Sequence, residues 1–338
     1  MNTKRYNSLR LAYIDVAKGI LIWMVILGHI SYFILPYSTD PICSNVNPLL
    51  SFFCNPYYLP AFFMVTGYCS HFDKDFVPFL WSNIKVLKIP AVTLTAIWLI
   101  VRKICSGDTD PISYLHIGLV HSWIESDFWF LDALFLAKMV YWLINKCVKN
   151  ETIQLLLPFL IFCIGYYLAG YIHIYEVGSF VHAMLLMLFM AIGQYIKKYD
   201  ITAKVTMVCV SIYLFFSIFN ILLGIKQPII VGGIHVDNSN IVQYLFQAVS
   251  GSIAIIGLCK IWGRNHFFEY CGRNSLIFYC VHIMFLFEIR YFYVHVPQDN
   301  ILLSLVAYIF VLISIFLICS ISSWIFETKY GKYFVGKF

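Results

Sequence analysis

Three ionisable residues, Asp15, Lys18 and His29, stand inside a segment, residues 11–35, whose centre reads ILIWMVIL. An apolar stretch of about 20 residues spans a bilayer, and an ionisable group within one is costly unless it is paired or hydrated. At ~100° per residue, the step from Lys18 to His29 is about three turns and ~16 Å of helix rise, so both fall on one face. Asp15 precedes Lys18 by three positions and can meet it on the same stripe. An imidazole titrates near neutrality and can accept a proton from a hydroxyl. The stripe therefore offers a carboxylate–ammonium pair at one end and a general base at the other.

Further polar groups lie in or beside other apolar segments. Near the ninth span the chain reads YCGRNSLIFYCVH, Tyr270 to His282. Gly272, Arg273, Asn274 and Ser275 supply a turn, a cation, an amide and a capping hydroxyl, a helix start that suits an anion. His282 lies seven residues beyond Ser275, about two turns into the membrane, and is expected to share a polar cavity with His29. Lys85 and Lys88 open the third span before Pro90, on the same helix side, either as snorkelling headgroup contacts or as ligands for phosphate. Tyr58 and Pro60 open the second span and Gly67 closes it, which suits either a kinked helix with freed carbonyls or ordinary close packing. In FWFLDALF, Trp129 suits a membrane interface. Asp132, a turn inside, is either a functional carboxylate or the partner of another polar group.

Those elements must be membrane helices. Of the 338 residues, 61% are hydrophobic and 12% charged, with a mean hydropathy of +0.80, whereas soluble domains carry about 25% charged residues. Long unbroken apolar runs exclude the alternating pattern of a barrel. The reading is all-α: one membrane-embedded domain over residues 1–338, a bundle of about ten transmembrane helices. The spans fall near 11–35, 49–70, 82–101, 128–145, 152–174, 179–197, 203–225, 241–262, 273–294 and 301–326. Basic residues from Lys4 to Lys337 gather on one side, and only Arg102, Lys103, Lys226 and Arg290 fall on the other. The positive-inside rule makes both termini cytoplasmic. The net charge of +6 then reflects topology, and no contiguous basic patch points to nucleic acid.

The first segment is too long, and too closely followed by further spans, for a cleaved signal peptide. None of the eleven cysteines forms a CxxC pair, and most sit inside spans as small hydrophobes. Cys43 and Cys105 fall in outer loops, with nothing in the sequence to pair them. His and Cys do not cluster at ligand spacing, so no metal is expected.

Taken in order, these motifs resemble the acyltransferase-3 family of membrane O-acyltransferases, in particular its fucose 4-O-acetyltransferase-like, polysaccharide-modifying branch. The resemblance rests on YIDVAKGILIWMVILGH, YLPAFFMVTGY, the basic pair before Pro90, FWFL, the Gly193–Tyr195 stretch and GRNSLIFYCVH, and covers residues 10–326. It implies an acyl-CoA donor on the cytoplasmic side, acetyl-CoA by family frequency, and a carbohydrate acceptor at the cell surface or on a lipid carrier. It implies a multi-pass protein of a bacterial inner (plasma) membrane, in contact with membrane lipids. His29 takes the place of the catalytic histidine, supported by Asp15 and His282. Lys18, Lys85, Lys88, Arg273, Asn274 and Ser275 become candidates for the donor's phosphates, and Tyr58, Trp129 and Asp132 for the acceptor. Two positions depart from the family pattern: Lys18 stands where many members have Arg, and Tyr58 where members often have His.

In the mechanism these residues suggest, the donor's charged end is held near Lys18 while its thioester reaches toward His29, three turns away. His29 acts as general base or is transiently acylated. The competing class is a transporter or exporter of a polysaccharide intermediate or acyl group, with the intramembrane His, Asp and Lys as a proton relay; no inverted repeat of the transporter kind is visible. The acceptor sugar, the acyl group and the oligomeric state, including a homo-oligomer, are not encoded in any residue pattern here.

Overall fold

A computed structural model describes residues 3–34, 52–105, 119–124, 126, 128–171, 178–224, 241–296 and 301–337. Cys43 and the side chain of Cys105 lie outside the described residues, as does most of the outer-loop sequence. Every regular element among the described residues is helical. In chain order these are α1 (Thr3–Phe33), α2 (Tyr58–Cys69), α3 (Phe76–Asn83), a π-helical turn (Ile84–Lys88) and α4 (Ile89–Cys105). There follow α5 (Trp129–Cys147), α6 (Glu151–Tyr171), α7 (Gly178–Ile196), α8 (Ala203–Leu222) and α9 (Ile241–Trp262). The chain then forms α10 (His266–Arg273), α11 (Ser275–Val294), α12 (Ile301–Glu327) and α13 (Gly331–Phe334).

The local sequence explains where several of these elements begin. Asn150, Thr202 and Asn265 each accept a backbone N–H from the first turn that follows, at 2.9, 3.3 and 3.1 Å, so a side-chain oxygen satisfies a donor that the helix leaves open. Pro60 sits in the first turn of α2, where its missing N–H breaks no helical bond; it starts the helix. Pro90 acts on the turn before it. It cannot donate to the carbonyl four residues back, and the chain widens there into the π turn, closed by the Ile89 N–H on the Ile84 carbonyl.

Among the described residues, seven helices are long and apolar enough to cross a membrane: Ala12–Phe33, Phe76–Ile104, Glu151–Ala169, Ser179–Ile196, Ala203–Leu222, Ile241–Trp262 and Leu302–Glu327. The pair Ser275–Leu286 and Glu288–Val294, bent by 49°, makes an eighth if the two halves form one span. The expected spans near 49–70 and 128–145 depart from an ideal membrane helix. Over its 12 residues α2 rises only ~18 Å, short of the ~30 Å hydrocarbon core. The other, α5, is long enough but carries Asp132, Lys138 and Lys146.

The helices group into two compact units. One comprises Met1–Val65, Lys198–Gly232 and Asp237–Ser323; the other comprises Thr66–Lys197, Gly233–Val236 and Trp324–Phe338. In the first, α1 lies along α10, α11 and α9, and α8 packs on α9. Val16, Ala17 and Cys259 form a core there, with Ile20, Ile255 and Phe268 around it. In the second, α7 packs against α5 and α6, and the π turn touches α3, α4 and α5. The segment after α12 returns to this unit: the Thr93 hydroxyl donates to the Phe334 carbonyl at 2.5 Å.

The contact of α1 with α10 is made backbone to backbone. A Cβ at Gly19 would stand 1.9 Å from the Phe268 carbonyl oxygen, and one at Gly272 would stand 1.8 Å from that of Asp15. Small residues let helices approach this closely, and no rotamer change can relieve a methyl pressed on a carbonyl. Gly19→Ala and Gly272→Ala should each destabilise the purified protein by about 1–3 kcal/mol through overpacking. Gly28→Ala, where a Cβ meets nothing within 4 Å, should be neutral or up to about 1 kcal/mol stabilising. Thermal unfolding in detergent checks this; equal losses at Gly19 and Gly28 would contradict the close approach.

Candidate active site

In the first unit, α1 carries Asp15, Lys18 and His29 past the α10–α11 pair. At one end Lys18 Nζ lies 3.6 Å from Asp15 Oδ1, and Arg273 Nε lies 3.5 Å from Asp15 Oδ2. Arg273 also donates to Glu269, which accepts from Arg264 Nε and Nη2 at 3.3 and 3.2 Å. The result is a chain of alternating charges, Lys18–Asp15–Arg273–Glu269–Arg264, with one cation in excess. Glu269 is enclosed while Arg273 and Arg264 remain more than half exposed. Hydrogen bonding from Arg264, and the charges of Arg273, Arg264 and His266, hold the Glu269 carboxyl below its ordinary range against the opposing effect of burial.

Asn274, at the junction of α10 and α11, turns its amide back to the Tyr270 carbonyl at 3.2 Å. The capping hydroxyl expected from Ser275 is not found there. Asn274 occupies the cap position without a side-chain cap bond, and Ser275 is already the first helical residue. The ten-residue link from Asn265 to Asn274 is mostly helix, so the turn that the sequence placed before Ser275 is one residue wide.

Three turns further along α1, His29 meets α11. Its Nδ1 lies 3.0 Å from His282 Nε2, with ring centroids 5.0 Å apart, and His282 Nδ1 lies 2.7 Å from the Phe278 carbonyl oxygen. His282 is buried at 1% exposure, whereas His29 is half-buried. Between the two ends, Trp23 bonds the Cys271 thiol at 3.4 Å and stacks on Phe267 and Phe316. The charged cluster and the imidazole pair thus share α1, with Trp23 between them in the chain.

The second unit holds a buried ion pair. Lys88 Nζ lies 2.6 Å from Asp132 Oδ1, with both side chains buried. Asp132 Oδ2 accepts from the Ser126 N–H at 2.6 Å and from its hydroxyl at 2.8 Å. Asp132 thus has a polar partner in Lys88. The expected common side for Lys85 and Lys88 is not found. The wider π turn separates them, placing Lys85 Nζ 5.4 Å above the Trp81 ring while Lys88 turns inward to Asp132. The Trp129 indole packs on His182, ring centroids 4.3 Å apart. Tyr58 is half-buried, and its neighbour Tyr57 makes the aromatic contact, edge to face with Tyr213. Among the described residues no group of three or more His, Cys, Asp or Glu could hold a metal ion.

Comparison against family models gives a finding independent of this geometry. The acyltransferase-3 model, described as an acyltransferase domain, matches residues 11–324.

The chain belongs to the acyltransferase-3 family.

Comparison with curated proteins and with solved structures finds no match. Family membership makes the protein an acyltransferase, and its apolar helices make it a multi-pass membrane one. Sequence reasoning missed Glu269, Ser126 and the role of α10. The signal for Glu269 was present in its spacing, five residues after Arg264 and four before Arg273.

Two outcomes follow for the acyltransferase. Asp132→Ala should cost about 3–5 kcal/mol, because it strands a buried ammonium. The double variant Lys88→Met, Asp132→Leu should cost far less than Asp132→Ala alone, read as thermal stability in detergent. At Glu269 the folded-state carboxyl ionises below its unfolded value of about 4.3. Its contribution is therefore present above that pH and lost as pH falls through the lower folded value. Glu269→Gln should be less stable than wild type at neutral pH and show a shallower loss on acidification below about pH 4.3; parallel acid curves would remove Glu269 from the chain of alternating charges.

Proposed function

We propose that this acyltransferase moves an acetyl group from cytoplasmic acetyl-CoA to a hydroxyl of a cell-surface or lipid-linked carbohydrate, with His29 as the general base. The contact of His29 Nδ1 with His282 Nε2, about three turns along α1 from the Lys18 cluster, carries the reading. In this reading the chain crosses a bacterial inner membrane ten times with both termini in the cytoplasm. The three less regular spans are α2, α5 and the bent α11.

The chemistry divides along α1. Lys18 and Arg273, beside the start of α11, meet the phosphates of the donor, because exposed guanidinium and ammonium groups form charge-assisted bonds to phosphate oxygens. The donor's arm carries the thioester away from that charge toward the imidazoles. The acceptor oxygen attacks the thioester carbonyl carbon while His29 takes its proton; the C–S bond then breaks and the thiolate recovers a proton. An ester and free CoA leave, with no net change in the protein. A membrane site also keeps bulk water from competing as the nucleophile.

His29→Ala in purified protein should lower transfer at least about 10²-fold, the lower range for general base catalysis, while acetyl-CoA binding by calorimetry persists. Full residual activity would remove His29 from the centre of the reaction. Failure of the wild-type protein to bind acetyl-CoA would overturn the donor, and surface glycans without protein-dependent ester-linked acetate would overturn the acceptor.

A further inference from the structure

We propose that the C-terminal segment, seated on the π turn, forms a binding surface for anionic phospholipid headgroups. Lys85, Lys329, Lys332 and Lys337 supply the charge, and the rings of Trp81, Tyr330 and Tyr333 supply the apolar contact. This face lies in the second unit and takes no part in the acyl transfer proposed for His29.

Backbone contacts fix the segment in place. Gly336 has φ +68°, a conformation that suits glycine, and a Cβ there would stand 1.7 Å from the Lys85 carbonyl oxygen. The Thr93 hydroxyl holds the Phe334 carbonyl from the start of α4. Val335, between those two residues, is buried. The Gly336 N–H donates to the Tyr333 carbonyl at 3.2 Å, and the Lys337 N–H to the Lys332 carbonyl at 2.9 Å. The segment is therefore a folded piece of the second unit, and the face it turns outward is set.

That face is aromatic and basic together. Tyr330 is 73% exposed, Tyr333 51%, Phe334 46% and Trp81 51%. Large rings left uncovered on a folded segment mark a face that meets an apolar surface. Three of the rings have a lysine over them: Lys329 Nζ lies 5.7 Å from the Tyr330 ring, Lys332 5.5 Å from Tyr333, and Lys85 5.4 Å from Trp81. Lys337 follows Gly336, whose backbone meets that of Lys85. Against the lysines of residues 324–338 stands one acidic side chain, Glu327.

Position and charge decide what covers this face. Lys329 stands just past the end of the span Leu302–Glu327, at the depth where tyrosine and tryptophan meet headgroups and an ammonium reaches phosphate oxygens. A zwitterionic headgroup satisfies the rings alone. A net negative surface matches the lysines as well, each worth about a fivefold preference.

The test uses the full-length protein in nanodiscs of phosphatidylcholine, alone or mixed with phosphatidylglycerol, and counts retained lipids by native mass spectrometry. Wild type should retain phosphatidylglycerol in preference to phosphatidylcholine. The combined variant Lys329→Gln, Lys332→Gln, Lys337→Gln should lower that preference about 10²-fold. The combination Lys149→Gln, Lys198→Gln, Lys204→Gln, at exposed lysines elsewhere, should lower it less than about fivefold. Equal losses in the two variants, or no loss in the first, would overturn the inference. Labelling of wild type by an amine-reactive ester needs no variant to fold: Lys329, Lys332 and Lys337 should react more slowly in the mixed nanodiscs. Rates indifferent to lipid charge would overturn the inference, whether the face is bare or covered by a second copy. Protection brought by acetyl-CoA in phosphatidylcholine alone would give the face to the donor and overturn it too.

Discussion

A charge within an apolar bundle has to be matched before anything else can be arranged around it. In this chain the matching is done twice, by different means. Lys88 and Asp132 face one another in the interior, and Ser126 takes up the remaining carboxylate oxygen. Around Asp15 and Lys18 five charged groups alternate in sign across α1, the loop before α10, and α10 itself. The first arrangement closes on itself. The second is open at its edge, because Arg273 and Arg264 keep more than half of their surface. An enclosed pair gives order to its neighbours, whereas an open array can still take a ligand.

The backbone contact at Gly19 and Gly272 makes that open array possible. Asp15 and Arg273 lie within ion-pair distance because their helices approach without side chains between them. The same approach sets the start of α11, from which His282 reaches His29 two turns later. Electrostatics at one end and proton chemistry at the other are thereby tied to one helix crossing.

Much of this was legible in the sequence wherever a single helix carried the information. Asp15, Lys18 and His29 share a face by periodicity alone, and Ser275 to His282 is a regular step along α11. What the sequence left open depended on contacts between elements. Asp132 and Lys88 are 44 positions apart, and no local rule joins them. Lys85 and Lys88 were expected side by side, and Pro90 widens the turn that separates them. The eight residues of α10 fell between two long apolar runs and gave no membrane signal of their own. Spans drawn from hydropathy were least regular at α2, α5 and α11, which carry Tyr58, Asp132 and His282. Polar residues and bends weaken the apolar pattern, so the positions of interest and the weak spans coincide.

The Thr93–Phe334 bond has a consequence for the order of assembly. The second unit is discontinuous in the chain: residues 66–197 are completed by 324–338, and this bond joins positions 241 apart. The π turn that parts Lys85 from Lys88 is braced by a segment that follows the helices carrying Glu269 and His282. A nascent membrane protein must therefore hold α3 to α7 in a provisional packing while most of the other unit is threaded, and its last contacts are among its longest loop closures. Cleavage between residues 327 and 331 would leave every long helix uncut and yet remove this closing piece.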